Sequence, residues 1–381
     1  MPFKKLQADL LFDGYSFRER QVLVMTENGT IENIVDATEA GQDIEMVKGI
    51  LSPGFINCHC HLELSHLKGQ IEENTGLPAF VRQVVQKRNF SEEDILDAIE
   101  IAETAMLKNG IVAVGDICNT LHTLPQKQKG NIWYHNFIEA MGFNPQLAES
   151  NFNRYQQIYS RFIAQFSAER VSITPHAPYS VSEALWEKVM DHDTNGLLSI
   201  HNQETEEETW WFRQKTGGFA DMFKAMGLNT DSFTASGKSS LQTYFHHFLP
   251  QQQVLLVHNV YTTEDDLAFI RKTGNEVFWC LCPNANQYIS RALPDVAMFV
   301  KNKAALVLGT DSLASNHQLS IWEEIQTLRK AYADIPLELM LQWATINGAK
   351  ALKTDHLFGS FEKGKRPGVV QIIDDKIHRL L

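Results

Sequence analysis

Six residues that can bind a metal or move a proton stand where apolar runs of this chain end. His59 and His61 close GFINCHCH (54–61) and His176 closes RVSITPHA (170–177). His201 ends GLLSIHN (196–202), His258 ends QVLLVHN (253–259) and Asp311 ends AALVLGTDS (304–312). A lone histidine at a strand end is more often a hydrogen-bonded structural residue than a ligand. A His-x-His pair puts both rings on one face of a strand, and here three more histidines and a carboxylate join it at strand termini. Three imidazoles and one carboxylate suit Zn²⁺ or Fe²⁺. A coordination position left open takes a water, whose pKa falls from about 16 to near 7 on zinc. That gives a nucleophile at neutral pH. Asp311 can bind the metal and also accept the water's proton. Glu204, three residues after His201, is placed to carry a proton to a ring nitrogen or a leaving nitrogen. Its plainer reading is a helix-start carboxylate favoured by the dipole, and that reading fits Glu206–Glu208. His258 either orients the nucleophile or is a buried structural imidazole.

Neighbouring features carry less. Cys58-His59-Cys60-His61 resembles a mixed zinc set, but on a strand the cysteines face away from the histidines, so one metal cannot use all four. Cys280 and Cys282 read as strand packing. Trp210, Trp211 and Phe212 follow Glu204 and either line a pocket for a flat ring, with Trp210 at the substrate, or pack a helix. Glu63 sits just past the histidine pair, as a substrate contact or as a loop residue.

The elements that must position these side chains are legible as an alternation. Besides the runs above, GIVAVGDI (110–117), NIWYHNFIEA (131–140) and EVFWCLC (276–282) read as strands, making eight. Amphipathic segments lie between most of them. SEEDILDAIEIAETAMLKNG (91–110) opens with Ser91 and Asp94 in capping-box spacing and ends at Gly110. TTEDDLAFIRKTG (262–274) repeats the design, and a further helix is expected around 337–352. Eight β/α units in series predict an α/β fold, a closed (β/α)₈ TIM barrel, with polar groups gathered at the C-terminal strand ends. Residues 1–50 and the closing GKRPGVVQIIDDKIHRLL hold short strand-like pieces. The expected division is a small β domain from 1–50 plus 358–381 and a barrel over 51–357.

Composition bounds the partners. The net charge of −12, without a Lys/Arg-rich block, argues against nucleic acid and anionic membranes. No apolar run approaches a membrane span, and MPFKKLQADLLFDG lacks the apolar core of a secretion signal. Five cysteines in 381 residues look like reduced, cytoplasmic thiols.

Taken together, SPGFINCHCHLELS (52–65), TPHAPYSVSEAL (174–185), HNQETEEE (201–208), VHN (257–259), CPNANQYI (282–289), LGTDSLASN (308–316), WATINGAKAL (343–352) and GSFEKGKRPGVVQI (359–372) resemble the amidohydrolase superfamily, in its mononuclear deaminase/chlorohydrolase branch. The resemblance implies a distorted barrel with a terminal β-sandwich. It implies metal ligands at His59, His61, His201 and Asp311, a proton-shuttling Glu204, a hydroxide-orienting His258, and His176 as a substrate contact. Binuclear relatives carry a carboxylated Lys at the end of strand four. Here that strand ends in ITPHAPY without one, which favours a single metal, Zn²⁺ ahead of Fe²⁺. GKRPGVV departs from the Ala-Asp pair of many relatives, in the small domain. HLELSHLKG is most similar to the aminodeoxyfutalosine deaminase-like group, so the implied substrate is a small nitrogen heterocycle, first an adenine-type nucleoside. Relatives are often homodimers. The competing expectations are hydrolytic loss of halide or alkylamine from a triazine-like ring and a non-catalytic scaffold. A scaffold would be expected to have lost ligands.

Overall fold

The computed structural model describes residues 3–192 and 196–381. Met1 and Pro2 of the first segment and residues 193–195 lie outside the described residues. All eight expected runs form strands: Phe55–Cys60, Ile111–Cys118, Trp133–Ala140, Val171–Pro175, Leu197–Asn202, Gln253–His258, Glu276–Leu281 and Ala305–Leu308. They are numbered one to eight below. Strands one to four pair in parallel in sequence order, and so do strands five to eight.

Two thin seams join the halves into a distorted (β/α)₈ ring. At the first, the His201 N–H donates to the His176 carbonyl at 3.0 Å, and the Ser199 N–H donates to Thr174 Oγ1 at 2.7 Å. Pro175 has no N–H to offer there. At the second, Thr310 and Asp311 both donate their N–H groups to the His59 carbonyl at 3.0 Å, beside a single parallel bridge between Cys60 and Asp311.

Helices cover the ring as the apolar spacing dictates. Glu92–Lys108 buries Ile95, Ile99, Ala102 and Met106 on one stripe, and Ser91 accepts from the Asp94 N–H. The reciprocal half of the expected capping box is missing, because the Asp94 carboxylate takes the Ser91 hydroxyl at 2.6 Å instead. In Glu264–Ile270 the box between Thr263 and Asp266 is complete. The helix expected around 337–352 is present and unbroken over 337–351, with a π turn at Trp343–Asn347 between Leu337–Gln342 and Gly348–Ala351. Gly348 lies against Ile56, where an added Cβ would come within 2.7 Å of that residue's own. No helix among the described residues is long and apolar enough to cross a membrane.

The ends of the chain build two small sheets. Lys376–Arg379, Val369–Ile373, Ile50–Pro53, Leu10–Phe12 and Phe17–Arg18 form one. Ile31–Asp36, Gln21–Thr26, Phe3–Gln7 and Glu45–Met46 form the other. Leu6, Leu11, Leu23, Met25, Leu51, Phe361 and Val369 share one apolar cluster between them. Ile50–Pro53, which straddles the expected division at residue 50, pairs with Val369–Ile372.

A buried ion pair braces the barrel below the mouth. Lys127 Nζ lies 2.5 Å from Asp116 Oδ2, and both side chains are fully buried. Asp116 Oδ1 also accepts the Leu62 N–H at 2.8 Å, which fixes the backbone just past His61. Removing one partner would leave the other as a buried uncompensated charge. Lys127→Met should therefore lose about 3–5 kcal/mol of unfolding free energy in urea. Adding Asp116→Asn should recover more than half of that loss, and an additive double variant would contradict the coupling.

Candidate active site

Strand ends one, five and eight bring four donors to one point. His61 Nε2 lies 3.1 Å from His59 Nε2 and 3.3 Å from His201 Nε2. Asp311 Oδ1 lies 3.4 Å from His61 Nε2 and 3.6 Å from His59 Nε2. Metal–nitrogen bonds of about 2.0–2.1 Å set tetrahedral ligand atoms about 3.3–3.4 Å apart. His59, His61 and His201 form a group that could hold one cation, and Asp311 stands against the first two without joining that group. Two of the four are also held from behind, while His59 Nδ1 is buried without a hydrogen-bond partner among the described residues. His201 Nδ1 lies 2.8 Å from the His176 carbonyl, which can only accept, so Nδ1 carries a proton and Nε2 is the nitrogen left to bind a cation in place of its own proton. Ser315 Oγ donates to Asp311 Oδ2 at 2.6 Å.

The charges are sorted by surroundings. Burial would raise the Asp311 carboxyl, but the imidazoles of His59, His61 and His258 outweigh it and keep the group ionised. Burial lowers His61 and His176 to about 4, and it lowers His59 and His258 as well. Neutral imidazoles are the ligand form. Glu204 behaves oppositely. Burial, with Asp311 and Glu208 adding to it against His201, pushes its carboxyl up to about 8, so it carries a proton at neutral pH. His258 Nε2 stands 3.7 Å from Glu204 Oε1, and His258 Nδ1 lies 3.1 Å from the Asn286 side-chain amide.

His61, His201, Glu204, His258 and Asp311 line a cavity of about 160 Å³, together with Glu63, His176 and apolar side chains such as Phe80. Burial raises Glu63 to about 7, against hydrogen bonds from Thr120 and Asn119. Its Oε2 takes the Thr120 hydroxyl at 2.8 Å and the N–H groups of Thr120 and Asn119 at 2.9 and 3.0 Å. It is thus a loop clamp that also reaches the cavity. His176 Nδ1 lies 2.6 Å from Ser180 Oγ.

Two expectations are corrected. Trp210 does not line the cavity. It stands 41% exposed, while the next residue, Trp211, turns inward and packs on Phe143, Phe223 and Phe233. Nor do Cys58 and Cys60 share a face. Register slips between Asn57 and Cys60, so Cys58 packs with Cys280 and Cys282 while Cys60 enters the other apolar cluster. Neither thiol joins the donor cluster.

Glu139 is the residue that sequence reasoning passed over. It ends NIWYHNFIEA just as the other site residues end their strands, and that was the available signal. Its Oε1 lies 3.3 Å from His201 Nδ1, and its Oε2 accepts from Asn119 Nδ2 at 3.1 Å. Burial would raise it, but His176 and His201 hold it ionised. In return, and against the penalty of burial, Glu139 lifts His201 to about 9. The same field favours any cation at Nε2.

A distorted barrel with a terminal β-sandwich and one donor set at its mouth defines a class of hydrolases. The chain belongs to it: residues 50–374 match the amidohydrolase family. Among curated relatives, an adenosine deaminase of Helicobacter pylori is 26% identical over 328 residues, 83% of this chain and 77% of that one. An aminodeoxyfutalosine deaminase of Nitratiruptor is 25% identical over 308 residues, 78% and 72%. The crystal structure of Helicobacter pylori aminofutalosine deaminase with methylthio-coformycin superposes with a TM-score of 0.83 at 24% identity, covering 96% of this chain and 91% of that one.

Glu139→Gln keeps the shape and removes the charge behind His201. It should weaken metal binding by about 10–100-fold in a chelator competition, with an unchanged circular dichroism spectrum. Unaltered affinity would show that the contact is incidental.

Proposed function

We propose that this chain is a metal-dependent aminohydrolase. It replaces the exocyclic amine of an adenine-type nucleoside by a carbonyl oxygen and releases ammonia, with aminodeoxyfutalosine as the leading substrate. The observation that carries this reading is a set of three converging imidazoles, with Asp311 against two of them, beside a buried carboxyl that burial pushes up to about 8. The names of the curated relatives point to the same chemistry. Five buried, free thiols suit a cytoplasmic setting.

In this reading His59, His61, His201 and Asp311 hold one divalent cation, Zn²⁺ before Fe²⁺. The cation supplies a water acidified into the neutral range. Water oxygen adds to the ring carbon that bears the amine. Glu204 gives its proton to the adjacent ring nitrogen, and Asp311 takes a proton from the attacking water. The proton held by Asp311 passes to the amine, which departs as ammonia when the carbon–nitrogen bond breaks. The hydroxyl proton of the adduct goes to Glu204 as the carbonyl forms, which restores both carboxyl groups. His258 fixes the attacking oxygen on the side facing Glu204. His176 and Glu63 contact the substrate from the cavity wall. Loss of chloride from a ring would use the same nucleophile but needs no protonated leaving group, so a carboxyl poised as Glu204 is favours an amine.

His201→Ala should lose bound metal and ammonia release together. Glu204→Gln should keep stoichiometric metal by elemental analysis while turnover falls by about 10²–10⁴-fold. Full turnover in Glu204→Gln would move the reading to displacement of a leaving group that needs no proton. Absence of ammonia from every adenine nucleoside, guanine, cytosine and pterin tried with metal-loaded protein would overturn deamination itself.

A further inference from the structure

The His258 imidazole is backed by an amide that packing does not account for. Strand seven ends at Leu281, and the chain passes through Cys282 into the helix Pro283–Ser290. That helix is pinned at both ends. The Asn284 N–H donates to Glu324 Oε2 at 2.8 Å, and the Tyr288 hydroxyl donates to the Ile71 carbonyl at 2.6 Å. Asn286 lies between them and is 1% exposed. Its Nδ2 stands 3.1 Å from His258 Nδ1, while its Oδ1 is buried with no partner among the described residues. A buried acceptor left unpaired costs about 1–3 kcal/mol, and an apolar side chain at 286 would avoid that cost. Asn286 is outside the lining of the cavity at the mouth, whereas His258 and Glu204 line it. Any part Asn286 plays in the chemistry therefore passes through the His258 ring.

The amide sets which ring nitrogen holds the proton. With its nitrogen toward His258, the amide leaves one acceptor unpaired. With its oxygen there, it would leave both N–H groups unpaired, so the observed orientation is the cheaper one. An amide N–H can only donate, so His258 Nδ1 accepts. Burial favours the neutral ring, whose single proton then sits on Nε2. Nε2 is the nitrogen on the Glu204 side, 3.7 Å from Oε1. His201 is the opposite case, with its Nδ1 directed at the His176 carbonyl and its Nε2 at His61. The two rings lie side by side, with centroids 5.4 Å apart and planes 24° apart. We propose that Asn286 is a positioning residue that holds the His258 proton on Nε2. His258 then donates to the attacking oxygen and has no lone pair with which to join His59, His61 and His201 around the cation. This role rests on the reading of His258 as the group that fixes that oxygen.

Nitrogen-15 spectra of the full, zinc-loaded chain labelled in histidine read the tautomer directly, and His258→Gln identifies which signals belong to residue 258. Nδ1 should show the downfield shift of a bare ring nitrogen and Nε2 the upfield shift of a protonated one. Asn286→Val keeps most of the volume and removes the donor. Its two His258 shifts should move together or exchange, with zinc still stoichiometric by elemental analysis. On an adenine nucleoside that the native chain deaminates, KM should stay within about twofold while kcat falls by about 10–100-fold. Asn286→Ala replaces Asn286→Val should the latter fail to fold. The native spectrum also decides by itself, because a proton found on Nδ1 overturns the proposal. An unchanged tautomer in a folded variant overturns it as well, and so does an altered tautomer with full kcat. If no nucleoside is deaminated, the proposed reaction fails on its own account, and the spectra still judge Asn286.

Discussion

The His59 carbonyl oxygen is where the barrel's closure and its chemistry meet. It accepts the N–H groups of both Thr310 and Asp311, so the hydrogen bonds that shut the ring between strands eight and one also set where the His59 and Asp311 side chains start. Two such bonds make a thin seam, and the rest of the mouth is built to hold it. Asp311, His258, Asn259 and Gln203 all have positive φ, at 55°, 76°, 61° and 46°. Left-handed backbone on residues with a Cβ costs about 1–3 kcal/mol each. Buried side-chain bonds offset that cost. Asn259 donates to the Leu256 and Cys280 carbonyls at 2.8 and 3.1 Å. Gln203 donates to Asp266 at 3.0 Å and accepts from Thr262 at 2.7 Å. Tyr244 and Asn202 close the same network. The strain is concentrated where strands five, six and eight deliver their polar groups.

Crowding charge into that mouth has a clear electrostatic order. Five buried carboxyls lie in or beside it, and their surroundings split them. Asp311 and Glu139 stand against imidazoles and stay ionised. Glu204, Glu63 and Glu208 have more burial than cationic help and rise to about 8, 7 and 7. Groups of one chemical type pushed apart in this way can divide the roles of anion and acid. Glu208 shows the structural side of the same order. It takes the N–H groups of Gln203 and Glu204 at 3.0 and 3.4 Å, which pins the turn that carries Glu204. The helix-start reading expected for Glu206–Glu208 accounts for that residue.

What the sequence made legible was whatever follows from one strand at a time. Apolar runs ending in polar residues gave all eight strands, and the (β/α)₈ order followed from their alternation. The helix caps at Ser91 and Thr263 were visible because capping is local. What failed depended on phase or on a partner far away. Trp210 and Trp211 are neighbours on a helix, so only one can turn inward, and the string WWF does not say which. The slip near Cys58 reflects pairing with strand two, and the π turn at Trp343–Asn347 reflects packing against strand one. Asp116 and Lys127 are eleven residues apart on elements whose contact only the folded ring creates. Glu139 is different, because it ended a recognised strand and needed only the rule already applied to its neighbours.

The geometry also limits the proposed site to one cation. Glu139, His176 and His201 form a second group whose donor atoms lie within 4.8 Å of one another, and a second metal there would need a free nitrogen on His201. Its Nδ1 proton is already directed at the His176 carbonyl, and its Nε2 points into the first group. His176 has its own Nδ1 against Ser180, which leaves Nε2 alone. Glu139 and a single imidazole nitrogen are too few donors for an independent site. Strand four ends at Pro175 and His176 follows it, so no lysine stands there to bridge two metals. Glu139 therefore stands behind His201, where its charge would support the cation of the proposed site.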